Sequence, residues 1–287
     1  MKNCLTRKSE RISLTVLCVL FFVYAVTLAF PFLWLLYNAC KGADEFWADP
    51  WALPQNFFGN FANYGIIFVD FDMLTMFFNT LFMSAAMATL SVFFHCCVAY
   101  AYAQHEFRLK KLLYAVAVIP VIISVAGTQP AMYKLINEIG FYDNMPLYVL
   151  TATSGFGFDF LIMASVFQNM SGTYREAAEM DGAGKWRIFL RIYLPQASAM
   201  ITAMWILGFI GVWNEYMTPY LYLPSYQTFS TGIYYMQQQI TTGSSAYYND
   251  YPKLFAAIII TILPIIVIFV VFQEKIMQFS LGGGIKE

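Results

Sequence analysis

Long apolar runs separated by short polar interruptions dominate this chain. Measured against the roughly 20 residues that a helix needs to cross a bilayer core, candidate spans fall at about 12–38, 73–101, 112–136, 147–168, 198–222 and 253–279. The fourth is the most interrupted, because "TSGFGFDF" sets glycine, serine and Asp159 inside it. It is counted because the topology needs it. The polar stretches are uneven too. Two are long connections, at 39–72 and 223–252, and one is a compact charged module, "EAAEMDGAGKWRIFLRIYLP", from Glu176 to Pro195. The pattern predicts an all-α fold, a polytopic membrane helix bundle of six transmembrane helices forming one bundle with no internal repeat.

Inside the charged module, Thr173 followed by Glu176 has the spacing of a capping box, which predicts a short helix from about Tyr174 to Met180. Asp181 and Gly182 stop it. Beyond Gly184, Trp186, Phe189, Leu190 and Tyr193 recur at helical spacing, with Lys185, Arg187 and Arg191 mostly to the other sides, so a second, amphipathic stretch is expected. Pro195 then marks the start of the next span. A short helix carrying two alanines before a glycine turn is shaped to seat against a partner. Trp186 and its basic neighbours suit a helix lying on lipid headgroups equally well.

Charge orients the bundle. With the N-terminus inside, Lys2, Arg7, Lys8, Arg11, Arg108, Lys110, Lys111, Arg175, Lys185, Arg187, Arg191, Lys275 and Lys286 are cytoplasmic, leaving only Lys41, Lys134 and Lys253 outside. Such a bias follows the positive-inside rule. It places both termini and the charged module in the cytoplasm, and it places Asp44, Glu45, Asp49, Asp70, Asp72 and Asp250 outside. The first apolar run is longer than a signal-peptide core and lacks a small-residue cleavage pattern, so it reads as a retained span.

Composition sharpens the class. At 60% hydrophobic and 11% charged residues the chain lies outside the range of soluble domains. A net charge of -1 without a basic stripe excludes nucleic acid as a partner. The five cysteines show no paired spacing. His95, Cys96 and Cys97 are adjacent, point about 100° apart on a helix, and read as packing residues rather than metal ligands. "GAGKW" is not a phosphate-binding loop, since it lacks the first glycine at the right distance and the hydroxyl after lysine. No metallopeptidase or nucleophile motif is present either, so no enzyme is expected and no cofactor is expected in this chain.

The module is spaced as Glu176, Ala177, Ala178, three residues, Gly182, nine residues, Ile192, Tyr193, Leu194, Pro195. In this it resembles the EAA signature of bacterial ABC-importer permeases. "WNEY" (Trp213 to Tyr216), "FNTLFMSAAMATL" (Phe78 to Leu90), "AYAYAQHEF" (Ala99 to Phe107) and the tail "GGGIKE" (Gly282 to Glu287) resemble carbohydrate-importer permeases of the maltose-type second subunit. The resemblance covers roughly residues 10–287. It departs where a Pro-Phe pair usual at the start of the fourth span is Gly157 and Phe158, and where a proline usual before the charged helix is Ser171.

The resemblance implies a type I ABC importer permease fold in the bacterial cytoplasmic membrane, forming half of a pathway for carbohydrate, of oligosaccharide size. It implies that Glu176, Ala177, Ala178, Asp181, Gly182, Ile192, Leu194 and Pro195 couple the chain to an ATPase that holds the ATP and Mg. The implied partners are a second, related permease in a heterodimer, two ATPase subunits, an extracytoplasmic solute-binding protein and membrane lipid. The implied division is residues 1–72 for the N-terminal tail, first span and outer connection, 73–280 for the permease core with its coupling loop at 169–197, and 281–287 for the tail. A permease of the same architecture for another solute, and an ion-coupled secondary transporter, remain alternatives; for the latter Asp159 is the one good buried acid.

Candidate pathway residues are Phe158, Asp159, Trp213, Asn214 and Glu215. An acid inside a span costs roughly 2.5 to 3.5 kcal/mol and so faces a polar cavity, a partner or the outer interface. Trp213 and Tyr216 equally fit an interfacial aromatic belt. In the outer connection, Tyr234, Tyr235 and Gln238 are candidate contacts for a binding protein, with a packed cap as the competing account. Pro31, Pro120, Pro130, Pro219 and Pro264 fall in or at the edges of spans, where helices bend.

Overall fold

The computed structural model describes residues 8–122, 127–242 and 247–282. Lys2, Arg7, Cys4, Lys286 and all but the first residue of the tail "GGGIKE" lie outside them, as do the side chains of Lys8, Arg11 and Lys275. Every regular element among the described residues is helical. The chain forms two compact units, one from residues 1–72 and 235–263, the other from 73–234 and 264–287.

The first unit begins with α1 (Lys8–Asn38), whose 31 residues span about 46 Å at 1.5 Å per residue. Its apolar side chains from Leu14 to Leu33 are mostly exposed, as expected of a helix whose neighbours are lipid or another chain. The connection at 39–72 is not an open loop. It folds into α2 (Ala43–Ala48), α3 (Phe57–Asn60) and α4 (Ala62–Asp70). Aromatic residues hold it, with the Trp34 and Phe46 rings each 5.4 Å from that of Phe255. Lys41 is fully buried, its Nζ donating to the Asp49 carbonyl at 3.0 Å and lying 5.2 Å from the centre of the Tyr37 ring. Burial pushes its pKa down, and the nearby carboxylates of Glu45 and Asp49 oppose that push.

The second unit is organised on α5 (Met73–Gln104), whose 32 residues span about 48 Å, more than a bilayer core. Met76, Thr80, Met83, Ala88, Val92, Cys96 and Ala99 are buried at spacings of three to five residues and make one stripe, with Tyr100 buried beside it. Phe78, Phe82 and Phe93 point away and are exposed. The third apolar run is not one helix among the described residues. It begins as α6 (Lys110–Ile122), resumes as α7 (Gln129–Glu138), and its residues 123–126 lie outside the described set.

The fourth run is broken as well. A turn of helix, α8 (Met145–Tyr148), tightens into a 3₁₀ segment to Thr153, and α9 (Phe158–Gln168) follows at a bend of 50°. Glycine makes the break: Gly155 and Gly157 have φ of +64° and +110°. His95 of α5 holds it, with Nε2 3.1 Å from the Phe156 carbonyl and Nδ1 beside the Ser91 carbonyl and hydroxyl.

Next come α10 (Thr173–Met180), α11 (Lys185–Ile188), a π-turn over Phe189–Tyr193, and α12 (Leu194–Gln196). After a bend of 78° the chain enters α13 (Ser198–Asn214), which packs along α5 as α9 does. The bend has two recognised causes side by side, a proline at Pro195 and a π-turn before it. α13 stops well short of residue 222, because Pro219 has no N–H to return to Glu215; the chain breaks there and restarts as α14 (Met217–Tyr222). The outer connection then forms α15 (Phe229–Thr241), and the last run is α16 (Tyr251–Gly282). Among the described residues three helices are long and apolar enough to cross a membrane, or up to five spans if each bent pair is one.

Candidate functional site

The charged module is built on α10. The expected capping box is not formed: Thr173 is already the first helical residue, behind Gly172, and its hydroxyl pairs with Ser171 Oγ at 2.9 Å. Ser171 also accepts from the Thr173 amide at 3.3 Å, so the serine standing in the usual proline position serves the free helix start. The far end closes as expected and more fully. Gly182 adopts φ +74°, its N–H donates to the Glu179 carbonyl at 3.0 Å, and the Ala183 N–H donates to the Ala178 carbonyl at 2.9 Å. Those paired bonds define a Schellman motif.

This closure decides what the helix presents. Ala178 and Ala183 lie against a core of Tyr100, Phe167, Ile188, Phe189 and Tyr193. Glu176, Ala177, Glu179, Met180 and Asp181 are exposed, Met180 at 89%. Tyr174 and Trp186 are exposed beside them. The second stretch turns a different face inward from the one its spacing suggested: Ile188, Phe189 and Tyr193 are buried, whereas Trp186 and Leu190 are exposed. The π-turn over Phe189–Tyr193 departs from the α register within this stretch. Ile192 and Leu194 pack on the same core, and Pro195 is exposed at the bend.

Between α5 and α11 lies a cleft of about 200 Å³ lined by Cys97, Tyr100, Ala101, His105, Lys185, Trp186 and Phe189. His105 Nδ1 is shielded there without a hydrogen-bond partner. Desolvation, then the positive charges of Lys185 and Arg175, hold its pKa below the usual histidine value, with Glu179 opposing.

The candidate pathway residues form two groups on helices that both pack along α5, and no hydrogen bond joins the groups among the described residues. Phe158 and Asp159 open α9; Phe158 is exposed and Asp159 half-buried. Trp213 is 2% exposed, between Phe209 at 5.5 Å and Phe229 at 5.8 Å, and its carbonyl accepts from Ser230 Oγ. It is therefore a packing anchor, not a member of an interfacial belt. Asn214 Nδ2 donates to the Ile210 carbonyl, and Glu215 Oε1 accepts from the amides of Met217 and Thr218, capping α14. Tyr234, Tyr235 and Gln238 share α15; Tyr234 stacks on Tyr216 at 5.0 Å, and Gln238 is exposed.

The sequence matches the model of the family described as "Binding-protein-dependent transport system inner membrane component" over residues 7–278. The chain belongs to this family. It is thus a transport subunit of the cell membrane rather than an enzyme; the ATPase of such an importer is a separate subunit, and the family implies a solute-binding protein and a second permease as partners. The permease is similar to the diacetylchitobiose uptake system permease protein of Streptomyces coelicolor, 29% identical over 90% of this chain and 84% of the relative. It is also similar to the arabinooligosaccharides transport system permease protein of Bacillus subtilis, 25% identical over 96% of both chains. The permease shares its fold with a chain in the crystal structure of a bacterial ABC transporter involved in the import of the acidic polysaccharide alginate. There the TM-score is 0.78 at 21% identity, covering 95% of this chain and 99% of the other. This is the type I ABC importer permease fold.

The sequence reading missed Ile188 and the inward role of Arg175. Arg175 stands among the acids of α10 and was counted only as a cytoplasmic base. Its Nη1 donates to the Gln104 carbonyl at 3.1 Å, drawing that side chain away from the exposed face. The one available signal was its place immediately before the Glu-Ala-Ala run, at i,i+4 spacing from Glu179.

Proposed function

We propose that this permease forms half of a pathway for carbohydrate of oligosaccharide size and couples uptake to ATP hydrolysis on partner subunits through α10. The observation that carries the coupling reading is an exposed knob on a fixed base: Glu176, Ala177, Met180 and Asp181 outward, Ala178 against the core, Gly182 closing the turn. A rigid helix with exposed acids and a large apolar tip is suited to a cleft of a partner, since it carries both orientation and contact area. The carbohydrate reading is supported by the saccharide uptake named for relatives that match 90% or more of the chain.

In this reading the assembly holds a companion permease in a heterodimer, two ATPase subunits with their ATP and Mg, and an extracytoplasmic binding protein. Both termini and α10 are cytoplasmic, as the distribution of bases suggests. Ile192, Leu194 and Pro195 transmit the motion of α10 into α13. Phe158, Asp159, Asn214 and Glu215 border the path, with Trp213 bracing α13 behind them. Tyr234, Tyr235 and Gln238 meet the binding protein, where aromatic faces and an amide suit polar recognition. The division into 1–72, a core at 73–280 with its loop at 169–197, and a tail at 281–287 belongs to the same proposal.

The test is uptake by proteoliposomes holding the copurified complex, its binding protein and internal ATP, offered labelled chitobiose, arabinotriose and raffinose. ATP-dependent accumulation of at least one is expected. Accumulation without nucleotide, or by this chain without companions, would overturn the coupling reading; ATP-dependent transport of non-sugar solutes alone would overturn the carbohydrate reading.

A further inference from the structure

We infer that Gln104 is the positioning residue that ties α10 to the spans, so that movement of the knob reaches α5 and α9 through one amide. This rests on the coupling reading above.

Gln104 is the last residue of α5. Its Nε2 donates to the Phe167 carbonyl, in the last turn of α9, at 2.7 Å. Its Oε1 accepts from the Tyr193 hydroxyl of the π-turn at 2.8 Å and from Arg175 Nη1 of α10 at 3.2 Å. The same Nη1 donates to the Gln104 backbone carbonyl at 3.1 Å. Four elements therefore meet at one side chain.

The chemistry requires an amide. The last carbonyls of α5 and α9 have no partners inside their own helices, so each needs a donor from elsewhere. Arg175 supplies one and Gln104 Nε2 the other. The same terminus must also accept twice, and an amide does this at one flat group, with an NH2 donor beside an oxygen that carries two lone pairs. Asparagine is shorter by a methylene. Glutamate would set a carboxylate oxygen against the Phe167 carbonyl. Around this junction lie Tyr100, Phe167 and Tyr193 in ring contact, at centroid distances of 4.9 to 6.1 Å, which fix the junction laterally.

Arg175 belongs to α10 itself, where Glu179 Oε1 lies 3.8 Å from its Nε, a loose ion pair within the helix. A displaced α10 thus moves the guanidinium, the guanidinium moves Gln104, and Gln104 moves the ends of two helices. Apolar contact alone permits sliding; directional hydrogen bonds do not.

The experiment uses the assembled complex with spin labels at Ser165 of α9 and Leu207 of α13, both exposed positions. Distances are measured before and after trapping with ATP, Mg and vanadate. Wild type should change its distance distribution on trapping. Gln104→Met keeps length and apolar bulk and removes every polar contact of the side chain; it should retain ATP hydrolysis and reduce the shifted population about fivefold or more. Tyr193→Phe removes only one hydroxyl and keeps its ring, and should give a smaller loss of the same kind. If Gln104→Met does not assemble, Tyr193→Phe decides alone.

A merely structural role would lower the melting temperature of the variants and leave their trapped shift at the wild-type value, which would overturn the inference while the coupling reading stands. No shift in wild type itself would overturn both.

Discussion

Replacement of Gly182 tests the coupling joint most directly, because the structure separates backbone strain from steric contact there. Gly182 has φ +74°, and a Cβ built on it meets nothing within 4 Å. The cost of a larger residue is therefore conformational, about 1 to 2 kcal/mol for an L-residue in the left-handed region. Valine, branched at Cβ, sits at the upper end, and asparagine, which tolerates this region, falls below it. Since 1 to 2 kcal/mol changes a two-state population by roughly five- to thirtyfold, Gly182→Val should leave the chain in the membrane with α10 mostly uncapped. The assay is uptake per ATP hydrolysed in proteoliposomes. Gly182→Val should lower that ratio by about tenfold and Gly182→Asn should keep most of it. Equal losses in both would mean that the side chain obstructs the partner and that the turn is not the cause. Wild-type ratios in both would refute the argument altogether.

Other outcomes follow from the same geometry. Gly155→Ala should destabilise the purified protein by about 2 kcal/mol or more, read as a lowered melting temperature, because its Cβ adds left-handed strain to overlap with Val98 at 2.8 Å and the Phe94 carbonyl at 3.0 Å. Stability should fall as pH drops through about 6.5, since His105 has a folded pKa lowered by burial, Lys185 and Arg175, so the unfolded chain takes up a proton that the folded chain refuses. That fall should flatten in His105→Gln, measured by thermal unfolding in detergent between pH 7.5 and 5.5. Asp159→Asn should raise the half-saturating saccharide concentration by about tenfold if its carboxylate accepts sugar hydroxyls, with assembly unchanged on gel filtration; an unaltered uptake curve removes it from the path.

The spans were legible where one unbroken helix carries the whole apolar run, as in α1, α5 and α16. They were less legible where glycine or proline interrupts a hydrophobic run. The stretch "TSGFGFDF" signalled trouble, yet apolar content alone gave neither the 50° bend nor the carbonyl that His95 takes. The long connections at 39–72 and 223–252 carry no helix in the sequence reading, although α4 and α15 lie in them. The short helix α10 was legible from its spacing, and its glycine stop from the need for positive φ. Its start was misplaced, because a capping box depends on where the first helical residue falls and Ser171 moved that point. Gln104 was beyond reach: it lies 71 residues from Arg175 and 89 from Tyr193, and nothing local marks an amide as a meeting point.

The elbow near Ala197 sets the direction in which effort can travel. With 78° between the arm over residues 185–196 and α13, a push along the first arm projects onto the axis of the second by only the cosine of that angle, about 0.2. The rest arrives crosswise. Pressed end-on from below, such a crank rocks the long helix sideways far more than it drives it up and down like a piston.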